Sequence, residues 1–327
     1  MRVPRTPLVL AGASAALLST AALATPALAK GPTTPTPIDA VRPVDVAARG
    51  TTVAWLRPAS EPRRNGTVRR TQAVVLDAPG RTPRVLTATL PDDADAIAVG
   101  TDARERTVLI VEGKGAPVVL PADGSGAPKR VAGLTSKDSA VTMRDGRIAF
   151  VRTSRDHARV RTANAPGGAT RALYTVPDEY EAVDLELGAR GAVALQASRP
   201  RDVGIVDIAW LLRPGKAVRR LTAQSTGGAS ENGMGGLVSS AAGRTFSVSR
   251  WNVGGGHPND VQRFSASIGK RLAVRKATTV ATVEAAVELA LDPRGSVVAP
   301  VEVDGCDDPQ DPGSAGLPAC PWLGVVR

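Results

Sequence analysis

Six times along this 327-residue chain an apolar segment runs into a tight Arg, Gly or Asp turn, and a second apolar segment follows. The pairs read VDVAARGTTVAWL (44–56), AIAVGTDARERTVLIV (96–111), AVTMRDGRIAFV (140–151), VDLELGARGAVALQA (183–197), GLVSSAAGRTFSVS (236–249) and VELALDPRGSVVAP (287–300). Short Val-rich segments bounded by Gly, Pro and Asp read as strands joined in hairpins. A β-type unit that recurs at roughly 40–55 residues stacks around a common axis. The repeat therefore predicts an all-β fold, a six-bladed β-propeller with four-stranded antiparallel blades. No long stretch has helical period, which excludes a bundle. Aromatic residues make up only 3% of the chain, so Val, Ala and Leu must fill the interior.

Divided this way, the inner strands fall near 44–48, 95–100, 139–144, 182–187, 236–241 and 284–290. The last unit lacks a fourth strand, and the β-capable segment Thr36 to Val41 is expected to supply it, closing the ring with terminal strands. The domain plan is a signal peptide at 1–29, a Pro/Thr linker at 30–37 and the propeller at 38–327. Arg2 and Arg5 form the positive start of the signal, residues 8–24 its apolar run, and Ala27-Leu28-Ala29 the cleavage site. Cleavage at Ala29-Lys30 places the protein outside the cell or at the envelope exterior, with no membrane span in the mature chain. In that setting the two cysteines, Cys306 and Cys320, are expected to form a disulfide.

The net charge is +10. Nucleic-acid binding needs basic residues gathered on one patch with stacking aromatics. Here 34 Arg and 7 Lys are spread along the whole chain, with nine Phe, Trp and Tyr in total, so nucleic acid is not an expected partner. A protein or an envelope ligand is.

In the third repeat, Met143-Arg144-Asp145-Gly146-Arg147-Ile148-Ala149-Phe150 resembles the S-P-D-G-x-x-I-A-F signature of TolB-type propeller repeats, with Met143-Arg144 where the signature has Ser-Pro. Leu291-Asp292-Pro293-Arg294-Gly295 is a second, scrambled copy. The Asp-Gly pair suits a two-residue hairpin turn, and β-branched residues suit the strand after it. The resemblance implies an exported bacterial propeller, a fold that in such families serves binding, scaffolding or accessory roles.

In a propeller, the loops between strands two and three and the blade-to-blade connections share one face. Three varied segments fall on that face: 227–236, 252–260 and 304–312. They supply the candidate ligand- or partner-binding residues Glu231, Asn232, His257, Asn259, Asp260, Asp307, Asp308 and Asp311. The run D-G-C-D-D-P-Q-D-P offers oxygen ligands of the kind calcium uses but fits no EF-hand spacing, so no cofactor is expected. No catalytic residue is assigned: the chain has no G-x-S-x-G elbow, and neither Gly-rich loop has a phosphate-binding context. His157 reads as a second exposed loop histidine. The alternative function is a hydrolase of the propeller lactonase or esterase type, with a carboxylate-bound metal in the channel. For that role the inner strands of the fourth and sixth units offer Glu181, Asp184, Glu186, Glu284 and Glu288.

Overall fold

The structure is a computed structural model. It describes residues 36–39, 43–59, 70–78, 80–155, 157–202, 204–225, 231–240 and 242–253, followed by six strand segments between 259 and 326. After β1 (Thr36–Asp39), four blades follow in chain order. The first holds β2 (Asp45–Arg49), β3 (Thr52–Pro58), β4 (Thr71–Leu76) and β5 (Arg84–Val85). The second holds β6 (Ala96–Thr101), β7 (Thr107–Glu112), β8 (Val118–Pro121) and β9 (Lys129–Arg130). The third holds β10 (Asp138–Arg144), β11 (Arg147–Ser154), β12 (His157–Ala163) and β13 (Thr170–Thr175). The fourth holds β14 (Glu181–Leu187), β15 (Val193–Pro200), β16 (Ile205–Leu212) and β17 (Arg219–Ser225). Each is a four-stranded antiparallel meander in sequence order, and inner strands of successive blades pack side by side. This is a β-propeller, with four such blades complete between residues 45 and 225 where the repeats led to an expected six.

The next sheet joins β18 (Glu231–Ser239), β19 (Thr245–Val253), β20 (Asn259–Ile268) and β21 (Leu272–Val274), and β22 (Thr278–Val283) also pairs with β20. Further strands are β23 (Ala290–Leu291), β24 (Val297–Pro300) and β25 (Leu323–Val326). They pair in the order β23, β24, β25, β1, with Thr36 opposite Val325. Asp39 of β1 also accepts a hydrogen bond from Trp55 Nε1 at 2.7 Å, which satisfies an otherwise buried indole.

Strand alternation builds the core between blades. On β7, Leu109 and Val111 face the first blade and pack with Ala54, Leu56 and Val75. Val108 and Ile110 face the third blade and pack with Ile148 and Phe150. On β11 the intervening Ala149 and Val151 face the fourth blade, meeting Leu185, Leu195 and Trp210. Each second strand therefore buries both faces, which explains its near-continuous apolar run. The hairpin between β10 and β11 turns on Asp145 and Gly146, both at positive φ (51° and 75°), the two-residue turn that its sequence predicts. Gly146 lies so close to the second blade that an added Cβ would stand 3.0 Å from Ala103 Cα.

The chain up to residue 35, which contains the expected signal peptide and most of the linker, lies outside the described residues, as do His257, Cys306, Asp307, Asp308, Asp311 and Cys320. Two differences from expectation concern β18 and β20. Both strands begin earlier than their Gly- and Asn-rich sequence suggests. Glu231 and Asn232 pair with Val253 and Asn252, and Asn259 and Asp260 pair with Val283 and Thr282, so these four residues lie in strands rather than loops. Ladder pairing with long partner strands outweighs the weak β-propensity of Gly and Asn.

Phe150 is fully buried between two blades, so Phe150→Ala should cost about 3–5 kcal/mol of folding stability. Urea unfolding would measure it; a loss under about 1 kcal/mol would mean that the blades do not pack as described.

Candidate functional site

The inner strands enclose a cavity of about 650 Å³ on the axis. Its walls come from β2, β6, β10, β14 and β18, with one residue each from β7, β15 and β16. Three of the inner strands carry a β-bulge where they line it: between Ser139 and Thr142 on β10, Ala182 and Asp184 on β14, and Gly235 and Val238 on β18. A bulge re-aims side chains at the rim of a sheet. Here it turns Ala140 to φ 50° and leaves Val183 half exposed.

Among the described residues six carboxylates line the walls, Asp45, Asp95, Glu112, Asp184, Glu186 and Asp207, and no Lys or Arg does. Two of them are held by the backbone of the following blade. Asp45 accepts the Ile97 N–H at 2.6 Å. Glu112 accepts the N–H groups of Ala140 and Val141 at 3.0 and 2.6 Å, pinning the β10 bulge. Glu186, buried, takes hydrogen bonds from the hydroxyls of Thr142 and Ser239. The other three are less engaged. Asp95 and Asp207 have no side-chain hydrogen bond or ion pair among the described residues, and Asp184 has only the N–H of Leu185. Gln196, 4% exposed, donates Nε2 to Met234 O at 2.7 Å, and its Oε1 has no partner among the described residues.

The turn end of the inner strands is closed by buried arginines. Arg49 crosses from the first blade to donate Nη1 to Met143 O in the third, at 2.6 Å. Arg144 in turn reaches Ser239 Oγ and Ser240 O, at 3.2 and 3.4 Å. No Cβ fits at Gly243 without meeting the Arg144 guanidinium, and φ there is +62°. The cavity is thus acidic at the start of the inner strands, and the two arginines lie beyond its lining, near the strand ends.

Enclosure favours the neutral form of these acids. Burial pushes Glu112 up to about 7, against the N–H bonds from Val141 and Ala140 and with the field of Asp95 and Asp138. Burial alone raises Asp207 to about 6. Asp184 lies well above the usual range through burial, then through Glu186 and Asp45. Burial also raises Glu186, although the fields of Arg49 and Arg144 and the Ser239 and Thr142 hydroxyls oppose it.

Of the acids considered for a channel site, Asp184 and Glu186 do face the cavity, and Glu181 is exposed at the start of β14. Glu284 and Glu288 lie outside the described residues. Asp45, Asp95, Glu112 and Asp207 are not singled out by the sequence; the available signal was an acid at or just before the start of an inner strand, as at Asp45 and Asp95. Among the proposed binding residues, Glu231 and Asn232 begin β18 and Asn259 and Asp260 begin β20, at one end of the same sheet. His157 starts β12 and meets Asp178 Oδ1 at 2.8 Å on the exposed surface. Among the described residues no three His, Cys, Asp or Glu side chains come together closely enough to hold a metal, and no helix is long and apolar enough to cross a membrane.

No family model and no curated protein sequence matches the chain. Solved structures with a similar chain path include TolB from Acinetobacter baumannii, at 12% identity and TM-score 0.47, covering 78% of this chain and 59% of that one. A nidogen/laminin complex matches at 13% identity and TM-score 0.44, covering 73% and 80%. An oligogalacturonate lyase in complex with manganese matches at 10% identity and TM-score 0.45, covering 80% and 71%.

Two outcomes are expected. Glu112 binds its proton more tightly folded than unfolded, where it titrates near 4.5, so the folded state holds more protons between about 4.5 and 7. Stability should therefore fall as pH rises through that window, and Asp207 adds the same sign between 3.8 and about 6. Asp102 and Asp123, lowered below 3.8, act only at lower pH. Urea midpoints measured across the window should decline, and Glu112→Gln should flatten the decline; a wild-type midpoint that rises throughout would exclude the assignment. Separately, Glu186→Ala leaves the buried Thr142 and Ser239 hydroxyls without their acceptor and should cost about 1–3 kcal/mol, again read from urea unfolding.

Proposed function

We propose that this protein is an exported β-propeller that acts as a non-enzymatic binding module for a protein or an envelope ligand, seated at the acidic mouth of the axial cavity. The observation that carries it is the cavity wall itself: three bulged inner strands turned onto a 650 Å³ space whose acceptors are only partly used by the protein. A volume of this size suits a small ligand or an inserted side chain. The start of β18 and of β20, with Glu231, Asn232, Asn259 and Asp260, would extend the contact on the same face, joined by His257, Asp307, Asp308 and Asp311. Export follows from the leader at 1–29, and a Cys306–Cys320 disulfide would brace the last long loop. A six-blade ring belongs to the same proposal. Its support is the pairing of β1 with β25 and the contacts of β23 with both β18 and β2.

A second reading is a hydrolase with a carboxylate-bound metal, favoured by Asp184 and Glu186 on the cavity wall. Metal analysis of the purified protein separates the two: a stoichiometric ion lost on Asp184→Asn would support the hydrolase.

The binding reading is tested by obstructing the mouth. Ser139 is exposed on the cavity rim, whereas Arg104 is exposed on the turn between β6 and β7, at the opposite end of the strands. Ser139→Trp should abolish retention of whatever the wild type captures from an envelope extract, and Arg104→Trp should not. Equal retention by both folded variants would overturn the site.

A further inference from the structure

We propose that the axial cavity recognises an aliphatic ammonium ligand, one that carries two or more ammonium groups on an apolar stem. This deepens the reading of the cavity as a ligand site and depends on it. The carboxylates alone would not suffice, since Asp45, Glu112 and Glu186 already accept from backbone amides or buried hydroxyls. What remains is Asp95, Asp184 and Asp207, with no cation among the described wall residues. The second observation is Gln196. Its side chain is almost wholly buried, and the Nε2 bond to Met234 O fixes the amide so that Oε1 is the free atom on the cavity wall. An acceptor that faces a cavity and has no partner among the described residues can take a donor from a ligand. Asp184 adds to the demand, because it stands on the same wall as the acids Glu186, Asp45 and Glu112, whose fields act on it.

An ammonium group donates three hydrogen bonds and accepts none, which matches a wall of unused acceptors. A metal ion fits less well, because no three ligating side chains among the described residues converge on one point. Separated acceptors suit separated ammonium groups. Between them the wall is apolar, with Val46, Ala96, Ile97, Val183 and Leu237, which suits a methylene stem. The same head group occurs on a free polyamine and on the side chains of a lysine-bearing peptide.

The experiment is calorimetric titration of the full-length protein with spermidine and, separately, with trilysine, above pH 7 where Glu112 and Asp207 are ionised. Saturable binding is expected, weakened about tenfold or more in Asp184→Asn/Asp207→Asn through loss of charge-assisted hydrogen bonds. Asp123→Asn, an exposed acid away from the cavity, should bind as the wild type does. Tighter binding of trilysine would assign the ammonium to a peptide, and tighter binding of spermidine to a free amine. Asp207→Asn alone, at a half-buried position, serves if the double variant does not fold, with a smaller loss of the same sign. The proposal fails if neither probe saturates, if the folded variants bind unchanged, or if magnesium at equal charge abolishes binding through screening alone. Failure here with ligand capture still blocked by Ser139→Trp would remove the ammonium ligand and leave the binding site standing.

Discussion

The inner strand of a propeller blade has one edge that no strand of its own sheet covers, and the backbone amides on that edge must find acceptors. In this chain carboxylates of the preceding blade provide them. Asp45 on β2 takes the amide of Ile97 on β6, and Glu112 on β7 takes those of Ala140 and Val141 on β10. These bonds fix how far each blade slides along the next. They also account for two of the acids near the axis of a chain of net charge +10, because Asp45 and Glu112 are located there by backbone donors.

Small side chains make the second constraint. With few aromatics, the layers between blades are built from Ala, Val and Leu, and a single large residue such as Phe150 or Trp210 fills what they leave. Near the axis the strands are too close for bulky apolar groups, as Gly100 shows: a Cβ there would lie 2.7 Å from Met143 O. Arg49 and Arg144 occupy the remaining space at the turn end because long, flat guanidinium groups can bridge blades that are not neighbours in sequence. Buried charge of this kind adds little net stability compared with an apolar filling, yet removing one partner is costly. It holds a particular arrangement of blades.

Local pattern made the hairpins legible, because period-two alternation and turn chemistry are properties of a few adjacent residues. Asp145-Gly146 gave both the turn and its register. The starts of β18 and β20 were obscured by Gly233, Gly235, Gly236 and Asn259, residues that favour loops in isolation and enter strands only because a partner is present. Asp184 and Glu186 could be named from their place on an inner strand, but not that both face the cavity, since the bulge at Val183 shifts the alternation by one residue. Asp207 and Glu112 belong to third and second strands, and nothing local marks them. Their place on the axis comes from contacts such as Glu112 with Ala140, which only the packing of one blade on the next creates.

The split between used and unused acceptors separates architecture from recognition within one cavity. An acid that caps backbone amides is needed whether or not a ligand binds. An enclosed acid with neither a cation nor a side-chain donor raises the free energy of the empty protein, or else it stays protonated. Among the described residues Asp184 and Asp207 are of the second kind, and Gln196 Oε1 likewise has no donor there. The positive net charge does not oppose a cationic ligand at this depth. Beyond about 8 Å at physiological salt the surface arginines are screened, whereas carboxylates on a narrow, partly desolvated wall are not. A cation would therefore gain little from long-range steering and most of its binding energy on entering the cavity, with affinity carried by residence rather than by encounter.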